Sequence, residues 1–269
     1  MTSFKKLQSS IKKSNSLLCV GLDSDISKLP NVFSKDINGL LSFNQCIIEA
    51  TSDIVAAYKI NFAFYEQYGK DGFDVLEKTF KLIPTTIFTI ADAKRGDIGN
   101  TSAAYATSVF NYFNADSITV NPYMGLDSID KFLDDKNKFI FILALTSNPG
   151  SNDFQRLIAD NKFIYQHIIE KSIANYSKEN IGFVIGATHP KEIENIRKTI
   201  PSYSLLIPGI GTQGGNIKEV INANGNGTAL INVSRAIIYP KINKNNINIL
   251  EFATIVRQTA IKYFNYMKL

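Results

Sequence analysis

Eight short apolar runs separated by segments of helical periodicity constrain this chain more than any other feature. The runs are LLCVGLD from Leu17, AAYKINF from Ala56, TIFTIAD from Thr86, SITVNPY from Ser117, FIFILALT from Phe139, IGFVIGAT from Ile181, YSLLIPGIG from Tyr203 and TALINVSR from Thr228. Their near-continuous hydrophobicity predicts parallel strands covered on both faces. Between them lie amphipathic stretches such as NQCIIEATSDIVA, LDSIDKFLDD, FIYQHIIEKSIANYS and HPKEIENIRKTI, and ILEFATIVRQTAIKYFNYM is expected to close the ring. Eight strand–helix units in 269 residues predict a single-domain (β/α)8 barrel spanning 1–269, with its active site at the C-terminal ends of the strands. A doubly wound open sheet is the competing architecture. The asparagine-rich NANGNG near residue 224 reads as a loop.

Composition narrows the function classes. The excess of 29 basic over 24 acidic residues, net +5, is dispersed along the chain with no block of like charge that would make a nucleic-acid arm, and it fits a small anionic substrate at least as well as a polymer. Cys19 and Cys46 are in no metal-like spacing, so neither a disulfide framework nor a zinc site is expected, and a reducing cytoplasm is the default. The lysines ahead of LLCVGLD do not make a signal peptide, because Asp23 interrupts the apolar run; no membrane span is expected either.

Charge then gathers where apolar strands end. In FTIADAKRGDIGNT, side-chain alternation puts Phe88, Ile90, Asp92 and Lys94 on one face and Thr89, Ala91 and Ala93 on the other. With the small residues toward the helices, Asp92 and Lys94 point into the barrel mouth, and Gly96 permits the turn that releases Asp97. Lys59 ends the second run, where a lysine must snorkel or find an acidic partner, and Asp23 occupies the corresponding place on the first. Carboxylates around a lysine keep it protonated. A second carboxylate resists a negative substrate unless that substrate loses its charge. A structural ion-pair network at the barrel rim is the alternative reading of the short motif. Farther on, PGIGTQGGN places four glycines between Gly209 and Gly215, and NVSRAI places Arg235 after the eighth run. A glycine-rich loop alone reads as a plain turn; joined to Arg235 it predicts an anion site of backbone N–H groups and a guanidinium fork, where such barrels usually hold phosphate. His167, in a helical pattern, and His189, in a loop, are read as structural or solvated.

These motifs carry a family resemblance. DAKRGDIGNT resembles the Asp-x-Lys-x-x-Asp-Ile-x-x-Thr signature of orotidine 5′-phosphate decarboxylases, PGIGTQGG and NVSRAI resemble that family's phosphate segments, and KINFAFYEQYG is similar to a subgroup found in many bacteria. The resemblance runs from about Cys19 to Arg235. It implies release of CO₂ from orotidine 5′-phosphate to give uridine 5′-phosphate, the last step of de novo pyrimidine nucleotide synthesis, without metal or cofactor. It also implies a network of Lys59, Asp92, Lys94 and Asp97, with Lys94 delivering a proton to C6 and Asp92 facing the departing carboxylate. Asp23 and Lys59 are expected at the ribose, Ser147 at the pyrimidine, Ile98 and Thr101 beside the substrate, and Pro208 beside the ring. Gln213, Gly214 and Arg235 are expected at the phosphate, and a lid is expected from Asn148 onward. A homodimer is implied in which Asp97 and Thr101 enter the partner's site. Ser234 stands where some relatives have glycine, and its hydroxyl either adds a phosphate contact or does nothing. Metal-dependent sugar-phosphate enzymes on the same barrel, and a catalytically inert phosphate sensor, are the alternatives.

Overall fold

The computed structural model describes residues 1–211, 214–242 and 247–269. Each of the eight apolar runs forms a strand: β1 Leu18–Gly21, β2 Ala57–Asn61, β3 Phe88–Arg95, β4 Ser117–Val120, β5 Phe139–Leu145, β6 Ile181–Ile185, β7 Ser204–Pro208 and β8 Ala229–Val233. All eight pair in parallel, in chain order, and β1 closes on β8 through Leu18 opposite Ile231, Cys19 opposite Asn232 and Val20 opposite Val233. The result is a closed barrel, which leaves no strand edge exposed and rules out the open sheet.

The burial follows from that closure. Strand residues facing inward fill the barrel, and those facing outward meet the helices, so Ile90, Ala91, Ile118, Phe141 and Ile231 are all fully buried. The last helix, Ile249–Met267, matches its predicted span. It starts there because Asn248 and Glu251 cap each other reciprocally, and Phe252 packs against Phe33 and Phe43.

Two local features add to that frame. The N-terminal lysine-rich segment is a helix, Ser3–Ser14, laid across the N-terminal end of the barrel. Its Ser10 hydroxyl donates to the Ala56 carbonyl at 2.5 Å, Leu7 is fully buried, and Phe4 stacks on Phe139. The segment NANGNG is only partly loop: Asn222 to Asn224 finish the helix Ile217–Asn224, and Gly225, at φ 54°, ends it. Asn224 belongs to the helix because its side chain is buried and bonded, as described below.

Candidate active site

The charged ends of β2 and β3 meet in a cavity of about 240 Å³ at the C-terminal end of the barrel. Lys59, Asp92, Lys94, Asp23, Ser147, Pro208 and Arg235 all line it. Adjacent parallel strands set Asn61 of β2 opposite Asp92 of β3, which puts Lys59 within reach of the Asp92 carboxylate. Lys59 Nζ lies 2.7 Å from Asp92 Oδ2 and 3.6 Å from Asp23 Oδ1; Lys94 Nζ lies 2.6 Å from Asp92 Oδ1. Asp92 is thus clamped between two ammonium groups. Its side chain and that of Lys59 are almost wholly buried, while the Lys94 side chain is 49% exposed.

The electrostatics follow from that clamp. Burial alone pushes the Asp92 carboxyl upward, but the charges of Lys59 and Lys94 outweigh it and hold Asp92 well below the usual carboxylate range. Burial likewise opposes the charge on Lys59, and Asp23 with Asp92 more than reverses this, raising it above an ordinary lysine. Cys19, beneath them, is pushed up to about 12 by burial and stays a neutral thiol.

Lys94 reaches the mouth by a route that simple alternation does not predict. The β3–β4 register runs Ile90 to Ser117 and Ala91 to Ile118, then jumps to Arg95 with Val120, so β3 carries extra residues at this point. Lys94 sits in the left-handed region at φ 49°, unusual for a residue with a side chain. Gly96, by contrast, serves close approach: a Cβ there would collide with the Asn121 carbonyl.

The expected phosphate end lies in the loop after β7 and the start of the segment after β8. Gly209, Gly211 and Gly214 adopt positive φ of 108°, 82° and 88°, as a tight glycine turn requires. The Gly214 N–H, however, donates to the Gly211 carbonyl at 3.0 Å and the Gly215 N–H to Gly209 at 3.1 Å, so both are engaged within the loop. Gly214 does not line the cavity, and Gln213 lies outside the described residues. Arg235 does line it, at the start of the one-turn helix Arg235–Ile238.

Ser234 has a partner that neither earlier reading foresaw. Its hydroxyl donates to Asp23 Oδ2 at 2.5 Å, so it serves the carboxylate beside Lys59. Asp23 Oδ1 is buried and makes no hydrogen bond. Asp97, Ile98 and Thr101 do not line the chain's own cavity: Asp97 Oδ1 accepts from the Ile98 N–H at 2.8 Å, and Ile98 is 55% exposed. At the start of the expected lid, the Thr146 N–H donates to Gln155 Oε1 at 2.7 Å, and His189 Nε2 is 3.0 Å from the Thr146 carbonyl. Sequence reasoning also missed Thr119 and Asn232, polar residues at the ends of β4 and β8 that line the cavity. A polar residue at a strand's C-terminal end was the available signal. Among the described residues, no three His, Cys, Asp or Glu side chains cluster as metal ligands, and no helix is long and apolar enough to cross a membrane.

Known proteins resemble this chain in sequence and fold. The chain is 46% identical over 237 residues to orotidine 5′-phosphate decarboxylase from Herpetosiphon aurantiacus, covering 87% of this chain and 88% of the relative. It is 45% identical over 264 residues to the same-named protein of Phocaeicola vulgatus, covering 96% and 95%. The structure of Leishmania donovani OMP decarboxylase superimposes with a TM-score of 0.82 at 34% identity, covering 98% of this chain and 100% of that one. With the family's sequence profile matching residues 16–246, the chain belongs to the orotidine 5′-phosphate decarboxylase / HUMPS family.

Proposed function

We propose that this protein decarboxylates orotidine 5′-phosphate to uridine 5′-phosphate, the closing step of pyrimidine nucleotide synthesis, and that Lys94 delivers the proton. The observation that carries the reading is the Lys59–Asp92–Lys94 chain of contacts, at 2.7 and 2.6 Å, opening on a cavity that Arg235 also lines. Its chemistry matches the demand of the reaction. When the C6–carboxylate bond breaks, CO₂ leaves and an electron pair remains in the plane of the ring, where the π system cannot spread it. A cation beside C6 stabilises that pair as it develops and then donates a proton to it; the resulting neutral amine recovers a proton from water. Asp92 contributes by aiming the ammonium, whose nitrogen lies 2.6 Å from its Oδ1, and it faces the carboxylate that departs.

The remaining residues hold the substrate. Arg235 grips the phosphate by charge, with Gln213 and Gly214 of the neighbouring loop; Gly214 can take part only by exchanging the Gly211 carbonyl for a phosphate oxygen. Asp23 Oδ1 and Lys59 are suited to ribose hydroxyls, since a hydroxyl supplies the donor this buried oxygen lacks. Ser147 meets the pyrimidine, Pro208 packs beside it, and the segment from Asn148 closes as a lid. Binding energy collected at the phosphate is thereby realised in the transition state.

A homodimer completes the site in this reading. Asp97, Ile98 and Thr101 stand outside their own cavity, and Ile98 and Thr101 are exposed, which supports their entering a partner's mouth. The two free, buried cysteines suit a cytoplasmic enzyme.

The test is ultraviolet absorbance on mixing the protein with orotidine 5′-phosphate in excess EDTA, with the product identified chromatographically. Conversion is expected. No conversion in EDTA and none after adding magnesium would overturn the reading and bring forward another sugar-phosphate substrate.

A further inference from the structure

Thr119 on β4 is fully buried and lines the cavity beside Asp92 and Lys94. Its Oγ1 lies 3.0 Å from the Lys94 backbone nitrogen and 3.0 Å from Asp92 Oδ1. The direction of both bonds is determined by chemistry. A backbone N–H can only donate, so the hydroxyl oxygen accepts from Lys94; an ionised carboxylate can only accept, so the single hydroxyl proton goes to Asp92.

The placement matters because of where it falls. The β3–β4 ladder slips between Ala91 and Arg95, and Lys94 is held at φ 49° inside that slip. A residue with a Cβ stays in the left-handed region only where its surroundings over-determine it. Thr119 is one such determinant: it takes the Lys94 N–H where the register breaks. The same hydroxyl shares Asp92 Oδ1 with the Lys94 ammonium, which sits 2.6 Å from that oxygen. One atom therefore ties the backbone of Lys94 to the carboxylate that receives its side chain.

We propose that Thr119 is a positioning residue of the decarboxylation, locking the Lys94 backbone and the Asp92 carboxylate into one frame so that the ammonium is aimed at a single point in the cavity. The inference rests on the decarboxylase reading. It acts through Lys94, and misplacing a reacting group by about 1 Å can cost about 100-fold in rate.

Thr119→Val keeps the shape and removes both hydrogen bonds; Thr119→Ser keeps both. The valine variant is expected to lose about 100-fold in kcat with KM and uridine 5′-phosphate affinity within about threefold, a split that marks an interaction expressed in the transition state. The serine variant is expected to recover kcat to within about threefold of wild type. A valine variant with wild-type kcat, or a serine variant as impaired as valine, would overturn the proposal, the latter assigning the effect to the methyl group. A crystal structure of the valine variant gives an arm independent of activity: Lys94 should leave its left-handed conformation or withdraw its ammonium from Asp92, and an unmoved Lys94 counts against the inference. If the wild-type protein leaves orotidine 5′-phosphate unchanged, the decarboxylase reading fails, and the crystal comparison alone still decides whether Thr119 holds Lys94.

Discussion

Charge is buried at both ends of this barrel, and the two ends handle it in opposite ways. At the N-terminal end, Arg197 spends its guanidinium on neutral acceptors. Nε and one terminal nitrogen bond Asn224 Oδ1 at 2.9 and 2.7 Å, and the fork also reaches the Tyr203 and Thr228 carbonyls, each at 2.6 Å. Gly227 leaves room for it, since a Cβ there would collide with the guanidinium. Burial pushes Arg197 down to about 10, so it is still a cation at neutral pH. It stitches the helix Pro190–Thr199 to the entries of β7 and β8. At the C-terminal end, Asp23, Lys59, Asp92 and Lys94 surround open space, and one buried oxygen of Asp23 makes no hydrogen bond. A buried charge with its bonds filled is a fastener. A buried charge with a bond left unmade toward a cavity is prepared for a ligand.

The sharpest attempt to break that contrast compares Lys94→Ala with Arg197→Met. Lys94→Ala should cut kcat by about 10⁴-fold or more, because proton delivery and charge stabilisation vanish together. Its effect on the denaturant midpoint should be small, since the Lys94 side chain is half exposed. Arg197→Met should do the reverse. It strands the Asn224 and Tyr203 oxygens and removes one of two donors from the Thr228 carbonyl, and should cost about 3 kcal/mol of stability while leaving kcat at 25 °C within about twofold of wild type. Equal stability losses in the two variants would erase the distinction between fastener and site.

A subunit-mixing experiment sharpens the comparison further by asking whether the mouth, unlike the floor, is shared. Lys59→Ala and Asp97→Ala should each be nearly inactive alone. If Asp97 reaches the partner's cavity, half of the sites in each hybrid dimer are free of both lesions, and equal mixing should restore about a quarter of wild-type activity. No recovery after verified subunit exchange would return Asp97 to its own subunit's site.

How much of each end could be read from sequence differs for a physical reason. Lys59, Asp92 and Lys94 were legible because an ionised side chain at the end of an apolar run has no local explanation, and strand ends converge in a barrel. The eight strands were legible because parallel strands are apolar on both faces. Arg197 was not, because it lies in an amphipathic helix where arginine is ordinary and its acceptors are contributed by segments far along the chain. Asn224 was misread for the same cause: its loop-like neighbours hide that it is the buried acceptor for that arginine. The left-handed Lys94 and its bond to Thr119 depend on a register slip between two strands, which no single segment encodes.

The pH response separates the ends at a smaller scale. Asp92 is depressed below the ordinary carboxylate value of about 4, so the stability it contributes is complete above that value and is lost as pH falls toward its folded value. The stability gap between wild type and Asp92→Asn should therefore hold from pH 7 to 5 and close by about 1 kcal/mol per pH unit below about 4. Lys59 is raised, so its contribution is present below the ordinary lysine value and is lost only as pH climbs through the higher folded one. Arg197→Met should show a stability gap indifferent to acid, because its acceptors do not titrate. A gap for Asp92→Asn that is equally flat would mean that the clamp contributes nothing through charge.

The smallest effect tests how finely the unmade bond of Asp23 is set. Ser234 occupies one Asp23 oxygen while the other lies 3.6 Å from the Lys59 ammonium, and Gly21 makes the serine contact possible because a Cβ at residue 21 would collide with the Ser234 hydroxyl. Ser234→Gly frees Asp23 to turn and should raise KM about fivefold, within the worth of one hydrogen bond to a charged group. Gly21→Ala should do at least as much by pushing Ser234 aside. The two losses share one cause, so they should not add: in the Ser234→Gly background the hydroxyl is gone and the penalty of Gly21→Ala should shrink. Full additivity would show that Gly21 is required for some neighbour other than Ser234, with Asn232 next in line at 3.0 Å from the same point.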